Sequence, residues 1–227
     1  MGRPLLLLRL EGPLQSWGLR SRWDVRDTAG EPTKSGVIGL VGAALGYGRG
    51  DPRLEQLDAA LRLGVRIERP GRRLVDFQTV TGILPTAEGG TKGTAAEPST
   101  IVSLREYLQD AAFLVVLDGP PETLRVCAQA LQNPRWPLFL GRKGCPPIRP
   151  VFEDLTASYD DVVSALQRHP WDWEGRSELQ QTETPAMLQC SLEDPTGQSL
   201  RADAIRVNRS RMYAMRNVRT FAVSRPQ

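Results

Sequence analysis

Pro4-Leu5-Leu6-Leu7-Leu8-Arg9-Leu10, near the start of the chain, is short and apolar and is followed by Gly12-Pro13. Such a run next to turn residues predicts a buried strand. Residues 112–117 (AFLVVL) have the same character and predict a second buried strand. These two strands are the framework on which the rest of the predicted fold is arranged.

Around them the sequence predicts an alternation of helices and strands. In chain order these are a helix at 36–45 with Ser35 as N-cap, a helix starting at Asp51-Pro52, strands at 65–68 and 74–80, a long exposed excursion at 82–100, strands at 101–108 and 112–117, a helix at 121–131 and a short strand at 138–140. This order matches an α+β fold of the split βαβ, or ferredoxin-like, type, whose antiparallel sheet carries helices on one side. RRM-type proteins use the open side for RNA, but a fold alone does not determine function.

The composition is that of a globular protein. A chain of 227 residues suits one large domain or two small ones. No apolar run approaches the roughly 18 residues of a membrane span, so we expect no membrane partner, and the run at 5–8 is too short for a signal peptide. The three cysteines are widely spaced without a CxxC pair, which argues against disulfides and a zinc site and favours a reducing cytoplasm.

Charge is distributed unevenly along the chain. Residues 201–227 hold seven arginines and one acid, whereas residues 153–194 hold ten acids and two arginines. This asymmetry favours one face for a polyanion and another for a basic neighbour, although solvated surface explains both segments equally well.

The first candidate site is Glu31-Pro32-Thr33-Lys34-Ser35-Gly36, which leads into the first predicted helix. A helix N-terminus attracts phosphate, Lys34 adds a full charge, and Gly36 allows close approach. The upstream glycine spacing of a nucleotide P-loop is absent, which argues against an ATP site. A capped helix with a solvated lysine is the simpler alternative. Gly36, Gly39, Gly42 and Gly46 share one helix face, which indicates another backbone packed close to it.

Two loops are further candidates. Gly141-Arg142-Lys143-Gly144 places adjacent cations between glycines, which suits phosphate contacts, although exposed basic turns are common. Gln15-Ser16-Trp17-Gly18 places a tryptophan in a polar loop, where it either stacks on a base or serves as a partly buried anchor.

Residues suited to catalysis are scarce. The only histidine, His169, lies between Arg168 and Pro170, where a surface or packed role is commoner than that of a general base. Asp160-Asp161 are adjacent in a predicted helix and do not converge on one metal. We therefore expect no catalytic residue, no metal site and no cofactor.

A family resemblance is carried by four stretches: 8–18 (LRLEGPLQSWG), 32–46 (PTKSGVIGLVGAALG), 103–111 (SLREYLQDA) and 140–146 (LGRKGCP). Their order and spacing, from residue 4 to about 153, closely resemble the CasD family, the 5′-handle-binding subunits of type I-E CRISPR Cascade in the RAMP superfamily. The last third of the chain resembles that family weakly.

The resemblance implies a ferredoxin-like (RRM/RAMP) domain with a long β-hairpin, or thumb, where the 82–100 excursion lies. We therefore predict a domain at 1–153 with a thumb insertion at about 78–104. A smaller, less regular, β-rich C-terminal part at 154–227 completes the predicted fold.

The resemblance also implies a function in antiviral defence. Such subunits cap the 5′ handle of the CRISPR RNA at one end of a ribonucleoprotein complex. The thumb lies along the guide toward the backbone subunit and displaces a base from pairing, the large subunit docks nearby, and target DNA pairs with the guide. It implies RNA binding without catalysis. By position, the residues expected at the RNA are Gln15, Ser16, Trp17, Lys34, Ser35, Gly36, Arg105, Arg142 and Lys143.

Two alternatives stay open. Relatives of another subtype cut repeat RNA without metal, using tyrosine, lysine and histidine. This chain has Tyr47 after the first helix but no histidine in its first two-thirds, which disfavours an endonuclease. The other alternative is a stand-alone single-stranded RNA-binding protein, which would bind RNA as a monomer, whereas a Cascade subunit co-purifies with partner subunits.

Overall fold

A computed structural model describes residues 2–19, 25–86, 89–171, 186–206 and 213–226. In chain order the described elements are β1 (Leu5–Glu11), β2 (Leu14–Gln15), β3 (Val25–Arg26), α1 (Lys34–Leu45), α2 (Pro52–Ala60), β4 (Arg62–Arg69), β5 (Arg72–Gly82), β6 (Leu84–Pro85), β7 (Thr91–Lys92), β8 (Ser99–Gln109), β9 (Ala112–Asp118), α3 (Pro121–Gln132), β10 (Phe152–Thr156), α4 (Val162–Arg168), β11 (Met187–Glu193), β12 (Ser199–Ile205) and β13 (Tyr213–Ser224).

The core is a seven-stranded antiparallel sheet in the order β10-β1-β9-β4-β11-β13-β12. The two apolar runs of the sequence are neighbours in it, since β1 and β9 pair from Leu6↔Leu117 to Glu11↔Ala112. The predicted α+β class with an antiparallel sheet is confirmed. No helix among the described residues is long and apolar enough to span a membrane.

Helices cover both faces of this sheet. One apolar cluster packs beneath α1, α2 and α3, and a second unites Leu5, Leu7, Leu114 and Val116 with the buried side of α4. The expectation of helices on one side only, with the other side open for RNA, is therefore wrong over β1, β9 and β4. The physical reason is that β1 and β9 carry consecutive apolar residues. A strand that is apolar on both faces needs a cover on both.

Helix α1 begins at Lys34, two residues before its predicted start, and its N-cap is Thr33, not Ser35. The Thr33 hydroxyl accepts a hydrogen bond from the Gly36 amide. Serine and threonine are both favourable N-cap residues, so the sequence alone does not distinguish Thr33 from Ser35 as the cap. The helix ends at Gly46, whose positive φ of 77° suits glycine.

The glycine face of α1 does not meet another backbone. A Cβ on Gly36 would lie 2.7 Å from Cε3 of Trp17, and one on Gly42 would lie 2.4 Å from Cδ2 of Leu54, so side chains fill that space. A Cβ on Gly39 would meet nothing within 4 Å.

The short strand predicted at 138–140 is wrong, and the strand that pairs with the outer edge of β1 is β10. Leu140 donates its amide to the Cys145 carbonyl at 2.7 Å, and its carbonyl accepts from the Ser16 amide at 3.0 Å. These two bonds close a turn and hold the 15–17 loop. The backbone groups of Leu140 are therefore already hydrogen-bonded and do not pair with a strand.

Strands β5 and β8 form a long hairpin, paired without interruption from Arg72↔Gln109 to Gly82↔Ser99. The predicted 82–100 excursion is the end of this hairpin and contains the small β6–β7 pair. On its other edge β8 pairs with β2 and, in parallel, with β3, where Arg26 lies opposite Arg105.

Candidate nucleic-acid interface

The loop at 15–17 connects two of the predicted sites. Ser16 contacts the 141–144 turn so closely that a Cβ on Gly141 would lie 1.8 Å from the Ser16 carbonyl oxygen. The next residue, Trp17, packs against Gly36 at the start of α1. The helix start and the basic turn are therefore bridged by two adjacent residues.

Gln15 and Trp17 are internal residues. Trp17 is 1% exposed, its indole N–H donates to Oε1 of Gln15 at 3.1 Å, and its backbone N–H donates to Oγ1 of Thr28 at 2.8 Å. The Gln15 amide in turn donates to the carbonyl oxygens of Ala111 and Leu10. Of the two roles considered for Trp17, its burial favours a buried anchor over stacking on a base.

Carboxylate side chains of the same chain surround the start of α1. The backbone N–H of Lys34 donates to Oδ2 of Asp203 at 2.8 Å, and the Lys34 ammonium lies 2.8 Å from Glu193 and 3.5 Å from Asp58. Arg216 donates to both oxygens of Asp203, at 2.6 and 2.9 Å. We call these five residues the α1 charge cluster. Burial, opposed by Lys34, raises the pKa of Asp58.

Lys34 is therefore buried and paired, and it is not the solvated lysine of the simpler alternative. The anion at this helix N-terminus is the internal carboxylate of Asp203, in the position where the sequence predicts phosphate. Ser35 and Gly36 are half-buried at the same turn.

The two cations of the 141–144 turn differ from each other. Arg142 donates to the carbonyl oxygens of Glu106 at 2.9 Å and Arg26 at 2.8 Å, and its guanidinium lies 4.6 Å from the Tyr107 ring centroid. It ties the turn to β8 and β3. Lys143 is exposed and makes no hydrogen bond or ion pair with the described part of the chain.

Arg105 lies at a pocket beside the hairpin. Its Nε donates to Oγ of Ser103 at 3.1 Å, and Arg26 stands beside it in the parallel register of β3 and β8. These three polar residues and aliphatic side chains of the hairpin line the pocket. Sequence reasoning missed Arg26, because only the pairing of a two-residue strand with β8 brings it there.

The opposite side of the hairpin carries a group of exposed apolar side chains. Val75 and Phe77 of β5 are 59% and 65% exposed, and Val102 and Leu104 of β8 are 44% and 41% exposed. Val25 of β3 lies opposite Leu104 and is 42% exposed. We call these five side chains the apolar hairpin face. Exposed apolar side chains grouped in this way are typical of an interaction surface.

His169 belongs to a buried charge network on the α4 side of the sheet. Its Nδ1 lies 3.0 Å from the Tyr159 hydroxyl and its Nε2 lies 3.5 Å from Oε1 of Glu153. The hydrogen bond from His169, together with Arg9 and Arg149, lowers the pKa of Glu153 to about 2. Among the described residues no group of three or more His, Cys, Asp or Glu side chains is placed to hold a metal ion.

The basic C-terminal segment is largely neutralised within the fold. Arg216 pairs with Asp203, Arg206 with Glu55, and Arg219 with Asp194. Arg201 pairs with Glu31, while Arg209 and Arg211 lie outside the described residues, as does 172–185 of the acidic segment. Four of the seven arginines of this segment are therefore paired with carboxylates of the fold, which reduces the charge it offers to a polyanion.

Comparison with known proteins gives consistent matches over most of the chain. Residues 5–221 match the family described as CRISPR-associated protein (Cas_Cas5). The CRISPR system Cascade subunit CasD of Escherichia coli (strain K12) is 35% identical over 180 residues, which cover 74% of this chain and 78% of that relative. A solved structure described as a Cas protein is 36% identical with a TM-score of 0.73, covering 98% of both chains. A chain of a CRISPR RNA-guided surveillance complex is 33% identical with a TM-score of 0.75, covering 98% of this chain and 91% of that one.

Proposed function

Because the chain belongs to the Cas5 family of CRISPR-associated proteins, we propose that it is a non-catalytic subunit of a type I-E Cascade surveillance complex. In this proposal it binds and caps the 5′ handle of the CRISPR RNA and helps to position the guide for recognition of target DNA. The observation that supports the proposal most directly is the similarity, over 98% of the chain, to a chain of an RNA-guided surveillance complex.

The charges beside the hairpin support a role in RNA binding. Lys143 is exposed and unpaired among the described residues, and Arg105 has only Ser103 as a hydrogen-bond partner. The Arg142 guanidinium is bonded to neutral carbonyl groups, so its charge is not cancelled by a carboxylate. A polyanion gains most from cations that lack internal partners, because these cations replace its condensed counterions, which are released into the solvent.

The apolar hairpin face supports assembly with other subunits. Five large apolar side chains on three adjacent strands exceed the scattered exposure that a monomer normally shows. In the proposed complex the hairpin acts as the thumb, and its apolar face contacts the neighbouring backbone subunit. The large subunit and the target DNA are the further partners, and the complex is expected in the cytoplasm.

The strand order supports the ferredoxin-like part of the proposal. Within the sheet, β10-β1-β9-β4 follow the order 4-1-3-2 of a split βαβ unit, with α1 and α2 between β1 and β4 and with α3 between β9 and β10. We retain the proposed division into 1–153, with the thumb inserted, and a C-terminal part at 154–227. The boundary falls within β10, and the described strands β11–β13 of the C-terminal part extend the same sheet beyond β4.

The surroundings of two residues support a role without catalysis. His169 is 9% exposed and bonded within the network on the α4 side, where its Nδ1 meets Tyr159. The Arg53 guanidinium covers Tyr47 and lies 3.9 Å from the centroid of the tyrosine ring. A general base needs access to its substrate, and this histidine has little.

Co-expression tests the proposal. A tagged chain, expressed with the other Cascade subunits of its own operon and a CRISPR array, should co-purify with those subunits and one defined short RNA. Replacing both Val75 and Phe77 by serine should reduce the recovery of backbone subunit at least about tenfold, because it removes the exposed centre of the apolar hairpin face. The matched control is Val126→Ser on α3, which is 43% exposed and outside that face.

The result also separates the alternatives. Recovery of the tagged chain alone, with RNA of mixed sequence, would contradict the proposal and favour a stand-alone RNA-binding protein. Cleavage of repeat RNA by the purified chain in EDTA would favour the endonuclease.

A further inference from the structure

Residues 133–137 (NPRWP) form an exposed loop after α3 that presents a tryptophan. Trp136 is 41% exposed, whereas Trp17, which packs against the start of α1, is 1% exposed. A proline fixes its own φ and restricts the residue before it, so Pro134 and Pro137 limit the conformations of this short loop. The loop therefore displays the tryptophan ring on a stiff backbone.

Contacts with the end of α1 fix this loop in place. The backbone N–H of Arg135 donates at 2.9 Å to the carbonyl oxygen of Ala44, which is one of the last carbonyl groups of the helix and has no partner within it. The Arg135 side chain occupies the space that a Cβ of Gly46 would need. The position of the loop is therefore set by the fold and does not depend on a bound ligand.

Arg49 adds a second cation on the neighbouring loop between α1 and α2. It lies three residues beyond Gly46, which Arg135 contacts, and it stands between Gly48 and Gly50. A Cβ on either of these two glycines would meet nothing within 4 Å, so the space beside the Arg49 backbone is open. We call the three exposed side chains of the two loops the Arg–Trp surface: Arg49, Arg135 and Trp136.

The two guanidinium groups of the Arg–Trp surface have no acceptor in the part of the chain that the structure describes. The neighbouring Arg53 differs, because it donates to both carboxylate oxygens of Asp51. A phosphate gains most from a guanidinium that the fold has not already paired with a carboxylate. Arg49 and Arg135 are therefore suited to phosphate groups, whereas the charge of Arg53 is balanced within the chain.

We propose that the Arg–Trp surface binds the strand of target DNA that is displaced when the guide RNA pairs with the other strand. Trp136 stacks on an unpaired base, and Arg49 and Arg135 contact the phosphates beside it. A tryptophan ring stacks on every base type, so the contact suits a strand whose sequence differs from one target to the next. The inference rests on the proposed function and adds a DNA-binding site to it.

Three features favour the displaced strand over the guide RNA. Helix α1 has 12 residues and is about 18 Å long, so the Arg–Trp surface at its end is separated from the 141–144 turn, which is bridged to its start. The bases of the guide–target duplex are paired and stacked, and a tryptophan ring cannot reach them. Recognition of RNA through its 2′-hydroxyl needs a further polar partner, whereas this surface supplies only cations and a ring.

Binding of two DNA targets to the assembled complex tests the site. One target is the complement of the guide as a single strand, and the other is the same sequence as a duplex, which alone has a displaced strand. Trp136→Ala should weaken binding of the duplex about tenfold, because the stacking of one base is lost, and should leave binding of the single strand unchanged. Tyr213→Ala, which removes a 52% exposed ring on β13, is the matched control and should change neither.

The salt dependence tests the two cations separately from the ring. Arg49→Gln with Arg135→Gln should lower the slope of log affinity against log salt by about 1.4 for the duplex only, at about 0.7 for each phosphate contact on a single strand. Arg168→Gln removes an exposed arginine of α4, on the opposite face of the sheet, and should leave both slopes as in wild type.

Photo-crosslinking identifies the bound strand. Iodouracil placed at successive positions of the displaced strand should crosslink to the peptide that contains Trp136 at one or two adjacent positions. The yield should fall about tenfold in Trp136→Ala, because the stacked contact is lost. Iodouracil placed in the 5′ handle of the guide RNA should give no crosslink to this peptide.

The outcomes distinguish the two levels of the proposal. If the wild-type complex does not assemble or holds no guide RNA, the proposed function fails, and this inference fails with it. If the complex assembles and Trp136→Ala binds the duplex like wild type, the Arg–Trp surface is wrong and the proposed function stands. An equal loss for both targets, or a crosslink from the handle to Trp136, would also overturn the assignment to the displaced strand. If the double arginine variant does not assemble, Trp136→Ala alone decides.

Discussion

The start of α1 and the base of the hairpin hold similar side chains in opposite circumstances. At α1, Lys34 and Arg216 are buried against Asp203, Glu193 and Asp58. At the hairpin, Lys143 and Arg26 have no carboxylate partner among the described residues. A basic residue at the junction of a loop and a helix or strand therefore does not show by itself whether it binds RNA or serves the fold. What decides its role is whether the fold brings a carboxylate to it.

The partners of the α1 charge cluster come from distant parts of the chain. Asp203 and Glu193 lie 169 and 159 residues beyond Lys34. Through the helix N-terminus and the lysine, they join α1 to the strands β11–β13. The proposed RNA-binding function therefore draws on the hairpin side and not on this cluster.

The largest expected effect is on stability, from Asp203→Ala. The change leaves the buried Arg216 guanidinium and the Lys34 amide without their acceptor, and removing one partner of a buried pair costs about 3–5 kcal/mol. Urea denaturation followed by circular dichroism measures this loss. The matched control is Asp160→Ala, because that carboxylate is 89% exposed and should change the free energy of unfolding by less than about 0.5 kcal/mol. Equal midpoints for both variants would contradict a structural role for the α1 charge cluster.

This contrast also explains what the sequence could predict. Local signals were sufficient for β1, β9, α2 and α3, because apolar runs and capping residues act over a few neighbouring positions. The cover of α4 on the second face was detectable in principle from the four consecutive leucines of β1.

Other features depend on pairing between distant segments. Strand β10 has an acidic, unremarkable sequence and becomes a strand only because β1 offers an edge to it. Arg26 joins the pocket through a two-residue parallel pairing with β8. The sequence singled out Arg105, Arg142 and Lys143, which the fold places beside the hairpin, but it could not predict the burial of Lys34 and Trp17, since their neighbours lie far along the chain.

The next effect extends the comparison to the buried charges on the α4 side and depends on pH. The pKa of Glu153 is lowered from 4.5 to about 2, first by the hydrogen bond from His169 and then by Arg9. A depressed pKa contributes stability above the unfolded value of 4.5, roughly 3 kcal/mol at neutral pH, and this is lost as the pH falls through 2. Glu153→Gln should therefore lower the free energy of unfolding at pH 6 and converge with wild type near pH 2. Glu122→Gln, at a 79% exposed site, is the control, and a gap that persists at pH 2 would contradict the assignment.

A more direct test of the comparison exchanges the two lysines for methionine. Lys34→Met should cost roughly 2 kcal/mol, because it leaves Glu193 and Asp58 without their cation, and should not alter the salt dependence of RNA release. Lys143→Met should leave the denaturation midpoint unchanged and lower the slope of log affinity against log salt by about 0.7, the value for one phosphate contact on a single strand. Titrating salt against RNA retention in the assembled complex, beside urea denaturation of each chain, measures both. If Lys34→Met changed the slope instead, the two regions would have exchanged roles.

The smallest effect concerns whether the space beside each glycine of α1 is occupied by a side chain or is open. A Cβ at Gly39 meets nothing within 4 Å, so Gly39→Ala should stabilise the isolated chain by about 0.5–1 kcal/mol through helix propensity alone. Gly36→Ala, three residues earlier, should destabilise it by about 1–3 kcal/mol, because its Cβ would lie 2.7 Å from the buried Trp17 ring. Opposite shifts of the two urea midpoints are the expected result. If Gly39→Ala stabilises the isolated chain but weakens assembly or RNA retention, then a partner must approach the helix at Gly39, because nothing within this chain occupies that space.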